Sequence, residues 1–374
     1  MEKPYDLAIA GAGIMGLACA FEAARRGRSV CVFDPGTTAA QASHAAAGIL
    51  VARDAQAFYS PFREFYVRSI RAYPEWLDSV RTASGSEVAY ARGGDWLVFD
   101  LEDPDAVKRM EEKRRQFERE KAADFTVTDT LPRPLSGHSA LTRVATFHFP
   151  GEAYVHNRDL LAALRIACGR AGVAFRTGAP AGAWEHAAGT TTLAFADGPL
   201  RADQVLIAAG AWTAAILAGL GYTAPMVPVK GQLIRIPRFH ASEAMIHFND
   251  EMYLVPRGPD LVVGATSEPG SWSEEFDEAG EAWLEARLAK LLPGVARGPL
   301  ERWTGIRPRT ADRLPWMGWL DAERGWSVCA GHYKSGISMA PLAAACMIKL
   351  LGREKPTMDL APFDPRRKRA LARI

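Results

Sequence analysis

Cysteine is scarce and does not pair: Cys19, Cys31, Cys168, Cys329 and Cys346 are an odd number, scattered over 374 residues, with no C-x-x-C or C-x-x-H spacing. Neither a disulfide framework nor a zinc site follows from such an arrangement. Net charge is also nearly missing, since 45 Lys and Arg stand against 43 Asp and Glu for a total of +2. A nucleic-acid partner is therefore not expected. The N-terminus lacks the basic segment and small-residue cleavage site of a signal peptide, so a cytoplasmic, reducing compartment is expected. One uncharged run, residues 205–229, has the length of a membrane span, but Gly210, Gly219, Gly221, Pro225 and Pro228 interrupt it. It predicts a strand, a turn, a short helix and another strand, and no transmembrane segment. Internal repeats and low-complexity linkers are absent as well.

What remains is an ordinary globular composition, 48% apolar and 24% charged, in a chain long enough for about two domains with real cores. Charge is uneven at the C-terminus, where Arg366, Arg367, Lys368, Arg369 and Arg373 fall in the last nine positions without an acid among them. Setting those five aside from the +2 total leaves a body at −3. The tail reads as a solvated end rather than a membrane contact.

The strongest local signal opens the chain. Residues 5–10 (YDLAIA) have strand length and lead into Gly11-Ala12-Gly13-Ile14-Met15-Gly16. A helical stretch at 17–26 and a second strand at 29–33 follow, the latter ending on Asp34. This is β-α-β with G-x-G-x-x-G at the first turn and an acid 23 positions after Gly11. The first glycine makes the tight turn, the second admits a pyrophosphate, and the third lets helix and strand pack closely. The helix N-terminus offers free N–H groups to phosphates, and Asp34 can accept ribose hydroxyls. The fingerprint serves FAD and NAD(P) alike, although an acid at 34 disfavours NADP.

Three later segments add to it. Residues 41–50 (QASHAAAGIL) are a run of small side chains that would let backbone approach a flat ring, or equally begin an Ala-rich core helix. Residues 203–213 (DQVLIAAGAWT) form a buried-type strand ending in a small-residue turn. Residues 328–337 (VCAGHYKSGI) precede a helix expected from about 341 to 351, whose N-terminus could stabilise an anionic ring.

Together with AYVHNRDLLAAL (153–164), VPVKGQL (227–233), MYLVPR (252–257), VVGATSE (262–268) and WTGIRPRTADRLPWMG (303–318), these segments resemble the D-amino acid oxidase superfamily of FAD enzymes, most closely its glycine oxidase branch. They occur in the family's order over nearly the whole chain. The resemblance implies an α/β chain, α+β overall. A discontinuous Rossmann-like FAD-binding domain (1–85, 150–221, 303–374) is interleaved with a substrate domain (86–149, 222–302) on a large mixed or antiparallel sheet. Within the latter, the charged stretch 105–124 carries a narrow apolar stripe (Val107, Met110, Phe117) and reads as an exposed scaffold helix. Residues 226–302 alternate apolar and polar, as strands of a half-solvated sheet do.

By the same resemblance, Gly11, Gly13, Ile14, Met15, Gly16, Asp34, Ser43, His44, Ala46, Ala47, Gly48, Gly210, Trp212, Arg307, His332, Lys334, Ser335, Gly336 and Ile337 hold FAD, without a covalent bond. Arg307 takes the substrate carboxylate with Tyr253 as a second donor, Arg309 being the competitor, and Lys334 occupies a ligand-facing position. The implied reaction is hydride transfer from Cα of a small amino acid or amine to flavin N5. It gives an imine that hydrolyses to a 2-oxo acid, with O2 reduced to H2O2. No general base is nominated, and His44, His247 and His332 read as structural or loop histidines. Two departures bear on substrate choice: His44 replaces an aromatic residue of the glycine oxidase branch, and Lys334 replaces an arginine, losing its bidentate fork. Open alternatives are a dehydrogenase that feeds a quinone or partner subunit and a flavin-bearing subunit of a hetero-oligomer. A homo-oligomer is left open too, and a nicotinamide dehydrogenase is disfavoured.

Overall fold

A computed structural model of the chain describes residues 3–36, 41–53, 60–119, 125–178, 181–295, 298–367 and 372–373. The opening fingerprint folds as β1 (Leu7–Ala10), α1 (Ile14–Arg25) and β2 (Val30–Asp34). β1 is the middle of a six-stranded sheet, ordered Trp316–Asp321, Trp326–Ala330, Val205–Ile207, β1, β2, Ala174–Thr177. Every neighbouring pair is parallel except the first, which is antiparallel. Parallel strands are covered on both faces, which is why these runs are apolar at consecutive positions. Leu7 and Ile9 face a helical layer that includes α1, Asn157–Arg170 and Gly336–Leu351. Ala8 and Ala10 face the other way, toward Leu193, Leu200 and Ala202 of a small antiparallel sheet.

The second large sheet has nine strands. Met226–Pro237 pairs antiparallel with Asp260–Gly264 on one edge and with Glu301–Thr310 on the other. The order then runs through Met252–Arg257, Met245–Phe248, Asp95–Asp100, Val144–Phe149 and Thr126–Thr128, with Met245–Phe248 parallel to Asp95–Asp100. Glu301–Thr310 straddles the expected boundary at 303 yet pairs with Met226–Pro237 over its whole length.

The expectation of a half-solvated sheet needs correction. One face is covered by the helix Glu278–Leu291, whose Leu284 and Leu288 pack on Ile234, Ile236 and Leu254. The polar positions in the alternation are buried there: Lys230 reaches Asp277 and Glu268, and Gln232 donates to Asp277 at 3.0 Å. The opposite face, with Leu233, Tyr253, Val255 and Trp303, meets Ala47 and Val51 from the small-residue run. That meeting places the site between the two sheets.

Three further expectations change. The helix expected from 341 begins at Gly336 and carries Pro341 inside it, so residues 335–337 form its N-terminus. The charged helix is Pro104–Arg119; Phe117 is fully buried among Phe99, Phe147 and Phe149, so it is anchored to the sheet, and residues 120–124 lie outside the described residues. The tail is not simply solvated. Arg366 pairs with Asp364, and Arg367 makes a two-pronged contact with Asp312 at 2.9 and 3.0 Å, while Lys368 and Arg369 lie outside the described residues. Among the described residues no helix is long and apolar enough to cross a membrane.

Candidate active site

The site is built from three chain segments that arrive from both ends of the sequence. The first is the glycine turn. Gly11 has φ +107°, and a Cβ there would stand 2.5 Å from the Ala208 carbonyl oxygen, so the turn closes against the end of Val205–Ile207. Asp34 shapes the same turn, accepting from Ala12 N at 2.7 Å and Gly36 N at 2.8 Å. Ile14 and Met15 are buried in the core, so what they offer a ligand is backbone. Gly13 caps α1 without a side-chain hydrogen bond, and the first turn holds no acid. That is the helix N-terminus a pyrophosphate needs.

The second segment is the small-residue run, which is a short helix, Gln41–Ala45, followed by the strand Ile49–Leu50. Ser43 Oγ accepts from Ile14 N at 3.1 Å and seats this run beside the glycine turn. Its carbonyls are tied from behind: Asn157 Nδ2 donates to Ser43 and His44, Trp303 Nε1 to Ala45, and Arg257 Nη2 to Ala47. His44 itself is largely exposed, and partial desolvation and the nearby Arg158 lower its pKa. Asn157, Trp303 and Arg257 were not singled out from the sequence, although Trp303 opens and Arg257 closes segments that carry the resemblance. Burial and the neighbouring Arg158 pull the Arg257 guanidinium down to about 10.

The third segment runs from His332 to Ile337. Ser335 caps the helix Gly336–Leu351, and a Cβ at Gly336 would stand 3.7 Å from Ile14 Cγ2, so two helix N-termini converge. Ser338 Oγ donates to the Ile49 carbonyl at 3.1 Å, joining this terminus to the small-residue run. His332 is buried with Nε2 lacking a partner, a polar atom left for a ligand or water. Gly210 opens a short turn directly after Ala208 and Ala209, against which the Gly11 turn closes, while Trp212 stands 39% exposed against Trp272.

Facing the small-residue run is the large sheet. Arg307 lies opposite Val229 and spreads over Gly231, where a Cβ would come within 2.2 Å of both terminal guanidinium nitrogens. Its Nη1 donates to the Thr266 carbonyl at 3.2 Å. The Tyr253 hydroxyl lies over Gly264, where a Cβ would be 2.7 Å away. Both glycines leave room for a long polar side chain lying flat on the sheet. Burial pushes the Tyr253 phenol up and keeps it protonated, while the adjacent Arg307 opposes that shift. Arg309 and Lys334 both go to Tyr333 instead, 5.9 and 5.5 Å from its ring centre, and Lys334 is exposed. The structure thus gathers Arg307 with Tyr253 and leaves Lys334 at the rim.

The arrangement fits FAD: a glycine cradle for the pyrophosphate, an acid for the ribose, a run of small residues for the ring, and an orphaned buried nitrogen at the converging helix termini. Comparison with known proteins agrees. The model of a family described as FAD-dependent oxidoreductase matches residues 6–350. The chain belongs to that family. This oxidoreductase is similar to a glycine oxidase of Geobacillus kaustophilus, with 32% identity over 97% of each chain. It also resembles a bifunctional ThiO/ThiG protein of Synechocystis, at 30% identity over 98% of this chain and 54% of that one. Among solved structures, the Geobacillus kaustophilus glycine oxidase superposes with a TM-score of 0.88, at 29% identity and covering 98% of this chain and 99% of that one. An iminodiacetate oxidase from Chelativorans sp. BNC1 superposes with 0.84, at 25% identity and covering 96% and 98%. FAD is the cofactor of this oxidoreductase.

Proposed function

We propose that this oxidoreductase oxidises the Cα–N bond of a small amino acid or amine that carries a carboxylate, glycine, sarcosine or a D-amino acid being the first to try. The observation that carries the reading is the pairing of Arg307 with Tyr253 on the sheet face that looks at the small-residue run. A guanidinium matches a carboxylate with two parallel hydrogen bonds, and a protonated phenol adds a third. Arg307 Nη1 already reaches the Thr266 and Lys230 carbonyls at 3.2 and 3.5 Å, which fixes its plane, and further N–H groups of the fork remain for a ligand. The sheet wall then holds the carboxylate so that Cα lies between it and the segment 42–48, and positioning does most of the work. FAD, when bound along that segment, supplies the acceptor for the Cα hydride and returns the two electrons to O2 as H2O2. The imine left behind hydrolyses to a 2-oxo acid and ammonia or an amine. No acid or base in contact with Arg307 and Tyr253 is assigned to the chemical step. That relatives are a glycine oxidase and an iminodiacetate oxidase supports a small carboxylated substrate.

Anaerobic mixing of the yellow protein with glycine, sarcosine, D- and L-amino acids and cyclic imino acids tests this. Bleaching by at least one of them is expected; no bleaching by any would overturn the reading. Admitting air should then release peroxide, and its absence would move the electrons to a quinone or a protein partner. We also take the flavin to be held without a covalent bond, a reading supported by the absence of a cysteine from segment 41–50 and from the strands that carry Arg307 and Tyr253. Acid precipitation should leave the colour in solution.

A further inference from the structure

A chain of buried charged groups joins the cofactor-side segment to the Tyr253 wall and is used by nothing described above. Asp95 is fully buried at the start of its strand, and Arg53, just past Ile49–Leu50, is fully buried beside it. Arg53 Nε donates to Asp95 Oδ2 at 2.9 Å, with Nη2 2.6 Å from the same oxygen. The other oxygen, Oδ1, lies 2.7 Å from His247 Nδ1. Glu152 closes the far end, accepting from the backbone N–H of Ala52 and Arg53. His247 is the residue directly opposite Tyr253 across the Met245–Phe248 and Met252–Arg257 pair, so both side chains rise from the same face. Their ring centres are 5.9 Å apart at 57°.

Because Asp95 is held as a carboxylate by Arg53 and His247, Nδ1 of His247 carries its proton toward it. The imidazole is then pinned through Nδ1, and its ring packs tilted against the Tyr253 ring. We infer that His247, anchored by Asp95, is a positioning residue that holds the Tyr253 hydroxyl in place beside Arg307. It thereby couples the placement of the carboxylate clamp to Arg53 at the end of the cofactor-side run. The inference rests on the carboxylate clamp of the proposed function.

A double-mutant cycle on the FAD-loaded protein tests it, with acetate as the carboxylate probe and the perturbation of the flavin spectrum as the readout. Tyr253→Phe and His247→Phe should each weaken acetate about five- to tenfold with FAD content unchanged. The double variant should bind no more weakly than Tyr253→Phe, since His247 acts through the hydroxyl already removed. Losses that multiply, or His247→Phe binding acetate like the parent, would overturn the inference. If His247→Phe fails to retain FAD, His247→Gln, which keeps a polar amide of similar reach, enters the same cycle with the same criteria. Arg307→Ala separates the two claims. If it leaves acetate binding unchanged, the clamp itself falls and this inference with it; if it abolishes binding while His247→Phe has no effect, only the inference falls.

Discussion

The two walls of the site are made of different material. The wall assigned to the dinucleotide is backbone and small side chains: Gly11 against Ala208, the start of α1 at Gly13, the run from Ser43 to Gly48. The wall proposed to meet the substrate is long polar side chains laid on a sheet: Arg307 over Gly231, Tyr253 over Gly264, His247 on Asp95. Both depend on glycine, for opposite reasons. In the first wall glycine lets chain approach chain; in the second it makes room for a guanidinium or a phenol. A substitution in the first wall should therefore remove the cofactor, and one in the second should spare the cofactor and lose the substrate.

The largest effect expected is at Gly16. A Cβ there would stand 1.9 Å from the Gly11 carbonyl oxygen, a backbone atom that cannot step aside. Gly16→Val should yield protein with no flavin or no soluble protein at all, checked by the flavin-to-protein absorbance ratio. A full complement of FAD would mean that the helix does not need this approach to the turn. Next comes Arg307→Ala, which should retain FAD but weaken substrate on the order of 100-fold or more. That is the scale of stranding a buried carboxylate, about 3 to 5 kcal/mol. Arg307→Lys should recover part of it, because a lysine has charge without the fork. Flavin loss in Arg307→Ala would blur the distinction between the walls.

That distinction also explains what could be read from the sequence. The dinucleotide wall is local: six consecutive residues and an acid 23 positions from the first carry most of it, and those signals sit in one β-α-β unit. The substrate wall is not local. His247, Tyr253, Gly264 and Leu233 become neighbours through strand register, and Asp95 arrives from 152 residues before His247. Only the resemblance marks Arg307 and Tyr253, while Arg257, Trp303 and Asn157 carry no local signal because their partners are main-chain carbonyls. The half-solvated sheet expected from the alternation fails for a related reason: Lys230 and Gln232 look like surface residues in sequence, yet the helix that covers them supplies Asp277.

That covering helix gives a smaller prediction on the far face of the same sheet. Asp277 is the N-cap of Glu278–Leu291, accepting from Gly280 N at 2.8 Å, and it pairs with the buried Lys230. Asp277→Ala should cost about 1 to 2 kcal/mol from the lost cap, seen as a lower melting temperature with the FAD and substrate affinities little changed. Hydrogen bonding to Lys230 holds the Asp277 carboxyl at about 2, below its ordinary value of 3.8. A depressed carboxylate pKa stabilises the fold above the ordinary value, and that stability is lost as pH falls toward the folded value. The gap between parent and variant should thus be constant near neutrality and narrow as pH drops from about 4 toward 2. A gap that widens with acid would assign the stability to another group.

The smallest effect is expected where substrate wall and solvent meet. Lys334 is exposed and sits 5.5 Å from the centre of the Tyr333 ring, which it shares with Arg309. A cation at such a site contributes little through the ring in water, about 0.5 to 1 kcal/mol. Lys334→Arg restores the residue type of the glycine oxidase branch and should change the apparent affinity for glycine by less than about fivefold, the upper end of that range. A substrate with a second anionic group that reaches the rim is the case that would respond more, because a guanidinium could then bind it with two hydrogen bonds where the lysine makes a single point contact. Comparing glycine with iminodiacetate on the two proteins separates these outcomes. Equal, small changes leave Lys334 as a rim residue, whereas a gain confined to iminodiacetate would make the lysine a determinant of which carboxylates this wall accepts.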